Sequence, residues 1–503
     1  MRFVIVVALF VGWPVAAQCP DGAPPPCRPP LPTTAVPASN SIAVLYFDNL
    51  TRDSAYEYLA DGLTEELISR LGRVRRLDVK SRFESRRVRE QRTVSAAVLG
   101  RALNVAYLLS GSVQPVAGRL RVTVELVRAA SGARIWSEVL NRAGSDLLAA
   151  QEDIAGAVVR AVAGELLPDE RAALSRRATR DSGAYDLYLR GRFLVSRLTE
   201  RGLIRALDLY SQALTRDSGF ALAWAGIGQV WWWLGARWRP PLDAYPKARL
   251  AAERALALDS TVGLAFVGLA TAAQLLDYDF ARAESLGRKA IALDPRLPDA
   301  HALLGNLLVQ RGRPADALIE ADRAWALDSL SGVVIVSRFQ TMRGLGREAD
   351  ALAVARSFGG QALISEGLFA STEVTVLVTM KRCDEARDVI RGTTGREWWD
   401  FRNVGIVASC LGQREVALAA LDSLAALSRT AYVSPMAFAT IYSALGERDA
   451  AIEWMERAYE GRDFFLLFAN VPRWEFRSAQ ADPRFAGLMR RIGLPWPAPA
   501  LPN

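Results

Sequence analysis

Two hydrophobic rhythms divide this chain of 503 residues. Over 41–167 the apolar positions come in short runs and alternations. The stretch 41–50 reads as an apolar strand ending in a turn, and Leu59, Leu63, Leu67 and Leu71 recur at four-residue spacing on one face of a helix predicted over 55–71. Strands are expected at 77–83 and 105–113, with a helix at 94–103 between them. After a hairpin turn at Gly118, Leu120, Val122, Val124 and Leu126 alternate with Arg119, Arg121, Thr123 and Glu125, the signature of a half-buried strand. A further strand at 133–140 and a helix at 147–166 complete this α/β part.

From 184 to 461 the period becomes helical and one unit recurs: a small residue on a first helix, then an Ala on a second helix that ends in Asp-Pro or Asp-Ser. The clearest copy, 298–329, carries Gly305, Ala317, Ala324 and Ser329, and the next begins 34 residues on at Gly332. In register, the first-helix position falls at Gly191, Gly228, Ala270, Gly305, Gly405 and Ala439, and the second-helix Ala at Ala206, Ala248, Ala283, Ala317, Ala351, Ala386, Ala417 and Ala451. Small residues are needed where helix backbones approach, and Trp224, Phe266, Tyr210 and Tyr442 supply the knobs between them. Each unit leaves an apolar face that only a neighbour covers, so about eight copies predict a stacked superhelix with a concave face. Phe339 and Val374 replace the small residue and Phe358 replaces the last Ala of the fifth copy, which predicts irregular packing near Gly359 and Gly360.

This spacing resembles the tetratricopeptide repeat family over more than half of the chain. The resemblance implies partner binding rather than catalysis, with the groove lined by the second, fifth, ninth, twelfth and thirteenth places of each first helix. Counted from Ala221 these are Leu222, Ala225, Gln229, Trp232 and Trp233; counted from Pro298 they are Asp299, Ala302, Asn306, Val309 and Gln310. Gln229, Trp232, Trp233, Asn306 and Gln310 are therefore the candidate peptide groove, with Trp as stacking anchor and amides meeting backbone groups. The alternative is that these Trp residues pack between repeats. The Lys and Asn set of the chaperone-tail carboxylate clamp is absent.

The stretch 41–167 resembles the amino-terminal α/β domain of the TolB type and its relative in a flagellar-assembly lipoprotein. The matching words are Ile42-Ala43-Val44-Leu45-Tyr46-Phe47-Asp48-Asn49-Leu50, Leu59-Ala60-Asp61-Gly62-Leu63-Thr64-Glu65-Glu66-Leu67, Leu109-Ser110-Gly111-Ser112-Val113 and Gly132-Ala133-Arg134-Ile135-Trp136. The resemblance implies a protein-binding module of the cell envelope. The expected fold class is then α+β: a small amino-terminal α/β domain, a linker at 168–183, an all-α solenoid at 184–461, and a helical cap and tail at 462–503.

Ahead of the domain, Met1-Arg2, an apolar run at 3–11 and the small residues Val15-Ala16-Ala17 read as a signal peptide over 1–17, cleaved after Ala17. The run is short for a membrane span, which needs about 20 residues; an uncleaved anchor over 3–17 is the alternative. Cys19 suggests a lipoprotein, but Gln18 departs from the lipobox. The segment 18–40 is Pro-rich, with eight prolines between 20 and 37, and reads as an extended spacer. Export would permit a disulfide between Cys19 and Cys27, and Cys383 and Cys410 read either as a second bridge or as two buried thiols.

The net charge is +8, yet only Lys80, Lys247, Lys289 and Lys381 among the 62 basic residues are Lys. Ten bases face three acids between Arg70 and Arg92, and Arg75, Arg76, Arg82, Arg86, Arg87 and Arg89 form a candidate patch for a polyanion such as phosphorylated envelope lipid or acidic glycan. A solvated, Arg-biased loop is the alternative, and export argues against nucleic acid. The single His, His301, occupies a packing place. No Walker loop, HExxH or GxSxG word is present, and neither a metal set nor a cofactor is expected. Taken together the residues predict an exported, non-catalytic scaffold or adaptor that binds proteins or peptides in the periplasm or cell envelope. The rival is a cytoplasmic or membrane-anchored regulatory module attached to kinase signalling or transcription.

Overall fold

The computed structural model describes residues 37–51, 53, 56–80, 84–85, 88, 94–116, 119–143, 147–175, 177–329, 331–357, 366–391, 397–471 and 474–496. The signal segment, Cys19, Cys27, Arg82, Arg86, Arg87, Arg89, Phe358, Gly359 and Gly360 lie outside them.

The α/β part is built on β1 (Ser41–Val44), β2 (Asp48–Asn49), β3 (Asp78–Val79), β4 (Tyr107–Val116), β5 (Arg119–Arg128) and β6 (Arg134–Ala143), in the order β3-β1-β4-β5-β6 with β2 beside β4. β1 runs parallel to β3 and β4, and β4, β5 and β6 form an antiparallel meander. The apolar run at 41–50 is interrupted after Val44 and resumes for two residues, while the strand expected at 77–83 is only Asp78 and Val79. Alternation on β5 is obeyed: Leu120, Val122, Val124 and Leu126 are fully buried and Arg119, Arg121 and Thr123 exposed. Helix α1 (Glu57–Gly72) lays Leu59, Leu63, Leu67 and Leu71 on one sheet face beside α3 (Leu147–Ala163), and α2 (Ala96–Leu103) covers part of the other through Leu99 and Leu103. The span expected as linker holds α4 (Pro168–Ser175).

Eight helix pairs follow among the described residues. They are α5 (Ser182–Val195) with α6 (Glu200–Arg216), α7 (Ala221–Arg237) with α8 (Pro241–Leu258), α9 (Gly263–Leu275) with α10 (Phe280–Leu293), and α11 (Pro298–Gln310) with α12 (Pro314–Asp328). The second half comprises α13 (Gly332–Gly344) with α14 (Glu348–Arg356), α15 (Glu366–Thr379) with α16 (Cys383–Ile390), α17 (Trp398–Cys410) with α18 (Arg414–Leu427), and α19 (Pro435–Ala444) with α20 (Arg448–Glu460). Every second-helix Ala of the repeat is 5% exposed or less. At Gly191 a Cβ would overlap the ring of Tyr210, a knob with no solvent exposure that is also wedged against Gly226. The recurring Asp ends the second helix: Asp217, Asp259 and Asp294 sit just past α6, α8 and α10, and each side chain accepts the backbone N–H two residues on. In seven of the eight pairs the turn carries a left-handed residue, Gly312, Gly346, Gly412 and Gly446 in four and Leu198, Tyr278 and Lys381 in three others.

The α/β part is joined to the array by polar contacts. Tyr58 donates to Asp186 at 2.7 Å, Arg192 meets Glu65 at 3.2 Å, and Arg296 donates to the carbonyl of Val79 at 2.9 Å. After α20 the chain makes two short 3₁₀ turns, Phe464–Phe468 and Trp474–Phe476, then α21 (Arg477–Gln480) and α22 (Pro483–Ile492).

Candidate functional site

The concave side expected to hold a peptide is filled by the chain itself. Phe464 meets Trp232 edge-on at 5.9 Å, and Phe465 meets Trp398 at 5.5 Å. Asn470 donates to the carbonyl of Gln310 at 2.7 Å, and Ser478 donates to the carbonyl of Ser443 at 2.7 Å. Phe464, Leu466, Leu467, Phe468, Phe476, Phe485, Leu488 and Ile492 are all 9% exposed or less, so this segment is core rather than a loose tail. The second pair also reaches the seventh: the Trp398 indole donates to the carbonyl of Arg237 at 2.9 Å, and Trp238 and Trp399 meet edge-on at 5.8 Å.

The five groove candidates consequently have other surroundings. Gln310 has no exposed surface; its side-chain oxygen accepts from Gln274 at 2.5 Å. Trp233 is 3% exposed and stacks edge-on with the half-buried Trp232 at 4.2 Å. Gln229 donates to Asp299 at 2.8 Å. Trp232, Trp233 and Asn306 do converge, on a cavity of about 50 Å³ that also touches Phe339, Phe464 and Phe465. That is room for a few waters, not for a peptide. The expectation of an open groove at these residues is therefore corrected: the place that faces a concavity in each repeat here faces a segment more than 150 residues further along.

A buried polar network holds that segment. Arg343, with no exposed side-chain surface, lies 3.3 Å from Glu348 and 3.7 Å from Glu475, and donates to Thr379 at 3.0 Å. Glu475 is itself fully buried and accepts from Thr379 at 3.3 Å. Arg402 donates to Thr375 and Asn403; burial lowers its pKa to about 10, with Glu475 acting against that shift and Arg343 with it. At the mouth of the segment Asp463 is buried, accepting from Ser434 and the backbone of Phe465. Burial pushes its carboxyl up to about 6 against those hydrogen bonds.

The Arg-rich stretch is only partly open. Arg75 is exposed. Arg76 is committed to the fold, gripping both oxygens of Glu170 at 2.8 and 2.6 Å and donating to the carbonyls of Ala163 and Glu165. That pairing holds the Glu170 carboxyl below its ordinary value. Arg70, 1% exposed, pairs with Glu66 and donates to the carbonyl of Leu174. Arg76 is thus weakened as a member of the candidate patch: four hydrogen bonds to Glu170 and two backbone carbonyls leave little of its fork for an incoming anion. His301 is 2% exposed between Glu320 at 2.6 Å and the carbonyl of Pro295 at 3.0 Å, a satisfied core histidine.

Two features point outward or to chemistry. Cys383 and Cys410 are disulfide-bonded with Cα atoms 5.8 Å apart, tying the start of α16 to the end of α17. Strand β6 pairs with β5 along its length and has no described strand on its other side. It is ten residues long and solvent-facing over most of that length, with Ile135 37% and Val139 47% exposed. Among the described residues no group of three or more His, Cys, Asp or Glu could hold a metal ion, and no helix is long and apolar enough to cross a membrane.

No protein-family model matches the chain. Over 199 residues, 40% of its length, it is 32% identical to "Putative adenylate cyclase 3" of Rhizobium meliloti (strain 1021), and the match spans 34% of that protein, about a third. A crystal structure of a tetratricopeptide repeat protein from Parabacteroides merdae ATCC 43184 overlaps 54% of this chain and 99% of its own at 11% identity and a TM-score of 0.34. PilF of Pseudomonas aeruginosa overlaps 43% of this chain and 95% of its own at 18% identity and a TM-score of 0.31. The fold assignment rests on the helix pairs themselves: a second-helix Ala spacing of 34 or 35 residues across five of the seven intervals, the burial of those Ala residues and the stacked order make the array a tetratricopeptide-type solenoid following a small sheet domain.

Proposed function

We propose that this chain is an exported, non-catalytic scaffold that holds protein partners in the cell envelope, with an α/β domain of the TolB amino-terminal type mounted on a rigid helical array. The observation that carries the reading is β6. A ten-residue edge with no described strand beside it offers a row of backbone donors and acceptors to an extended segment of a partner, while the filled interior of the array leaves its outer surfaces as the contact area. The Cys383–Cys410 bridge supports an oxidising compartment.

A photo-crosslinking residue placed at 135 or 139, combined with cell fractionation and alkylation of thiols before and after reduction, tests this. The expected result is a chain in the envelope fraction, Cys383 and Cys410 alkylated only after reduction, and crosslinks to protein from β6. The likeness to a protein named as an adenylate cyclase favours a second reading, a regulatory module that accompanies a signalling enzyme. A reduced chain in the cytoplasm without crosslinks from β6 would discard the envelope scaffold in favour of that reading.

A further inference from the structure

Least buried among the second helices of the array is that of the sixth pair, α16. It has eight residues and buries Ala386 alone. The other second helices run from nine to 18 residues and bury three to seven each. Val389 and Ile390 add half-buried contact with the core. A helix shorter than about 12–15 residues is marginal in water by itself, so α16 depends on its attachment to α15 and α17, the helices it packs on.

Polar contacts fasten it weakly. Arg382 pairs with Glu385 at 2.6 Å, Arg387 with Asp384 at 2.8 Å and Arg391 with Asp388 at 2.9 Å, each between residues three apart on the same stretch of chain. These pairs support the helix without tying it to a neighbour. The pair that reaches another helix, Glu385 to Arg356 of α14 at 3.2 Å, is 47% and 45% exposed, a setting in which an ion pair contributes little. Against this stands a covalent tie, the bridge from Cys383, the first residue of α16, to Cys410, the last of α17. Both cysteines are only half-buried, so a reductant can approach the bridge from solvent. The neighbours keep anchors of their own: Val374, Val376, Leu377 and Val378 of α15 have no exposed surface, and Trp398 of α17 donates to the carbonyl of Arg237.

We propose that the Cys383–Cys410 bridge is a redox latch: a dithiol opens it, and α16 then leaves the array while the repeats on either side stay folded. One thiolate of the dithiol attacks a sulfur of the bridge, the S–S bond breaks, and the other cysteine departs as a thiolate that takes up a proton. The second thiol of the reductant then displaces the first cysteine from the mixed disulfide. The protein gains two electrons and two protons, and the dithiol becomes a disulfide. The oxidised chain presents α16 on its surface; the reduced chain presents the sides of α15 and α17 that α16 covers. The latch goes beyond the scaffold reading and is independent of what β6 holds.

Hydrogen-exchange mass spectrometry of the purified full chain, before and after dithiothreitol without denaturant, tests the proposal. After reduction both cysteines should take an alkylating reagent, and the amides of α16 should exchange about tenfold or more faster, while α11 and the 464–468 segment keep their protection. Oxidised glutathione should restore the protection of α16. Cys383→Ser and Cys410→Ala should each show the released helix with no reductant added, and the wild-type chain carries the test if either variant fails to fold. Unchanged exchange in α16 once both thiols are free would overturn the latch, as would a bridge that dithiothreitol opens only in denaturant. Protection lost together in α16, α11 and 464–468 would make the bridge a staple of the whole fold, and failure of re-oxidation to restore α16 would also refute a latch.

Discussion

Replacing Glu475 by Gln tests whether the carboxy-terminal segment is locked into the array by charge. Glu475 has no exposed side-chain surface and faces the Arg343 guanidinium, equally buried, at 3.7 Å. At that distance an effective dielectric constant of about 20 gives an attraction of about 4 kcal/mol. Removing one partner of a buried pair typically costs about 3–5 kcal/mol, because the remaining charge stays buried. Gln keeps the shape and the hydrogen bond from Thr379, and Glu348 still lies 3.3 Å from Arg343, so the expected loss is about 3 kcal/mol. Urea unfolding followed by tryptophan fluorescence reads it, since Trp232, Trp233, Trp398 and Trp399 surround the filled interior. The control is Glu453→Gln, whose pair with Arg457 is 63% and 52% exposed and should matter by about 0.5 kcal/mol or less. Adding Arg343→Met to Glu475→Gln should recover part of the loss, because the stranded cation is then gone. A Glu475→Gln loss no larger than the control would refute the reasoning.

Asp463 gives a pH signature. Its folded carboxyl near 6 lies above the ordinary value, so the folded state holds the proton more tightly; the resulting stabilisation is complete below about pH 4 and lost as pH rises through 6. Against Asp463→Asn, the wild type should lose about 2–3 kcal/mol between pH 4 and 7, and parallel stability curves would contradict this. Opening the Cys383–Cys410 bridge, which closes a separation of 27 residues, should cost about 3–4 kcal/mol by loop entropy, equally by Cys383→Ser or by reductant, with reductant adding nothing to the variant in chemical denaturation. Gly191→Ala, which drives a methyl into Tyr210, should destabilise by about 1–3 kcal/mol in thermal unfolding. Gly487→Ala, with nothing within 4 Å in the middle of α22, should be neutral or stabilising by up to about 1 kcal/mol in the same assay.

The repeats were readable because their constraint is local. A helix that must approach its neighbour closely needs Gly or Ala at one place, and from Ala248 to Ala386 the requirement returns every 34 or 35 residues, so Ala283, Ala317 and Ala351 declare themselves without any knowledge of the fold. Alternation on β5 declared its buried face for the same reason. The interior could not be read this way. Phe464 and Glu475 belong there only because the array curves until its second and seventh pairs meet, and no spacing in the sequence encodes that curvature. Gln310 was assigned to a groove by its place in the helix, correctly as to direction and wrongly as to exposure, since what it faces is 160 residues away. Arg76 was counted as surface charge for a similar reason: its partner Glu170 lies 94 residues on, beyond any local pattern. The disulfide fell between these cases, its cysteines visible and their pairing left open by the sequence.

The meeting of the second and seventh pairs also bears on how such a chain can change over time. An open solenoid tolerates duplication or loss of a unit, because each repeat answers only to its neighbours. Here Trp398 must reach the Arg237 carbonyl and Phe464 must reach Trp232, so one pair added or removed between them would carry these partners out of reach. The unit count is therefore a closed-ring property, like the number of staves in a barrel. Diversification of this architecture is expected through residue substitution on its outer faces, not through growth of the array.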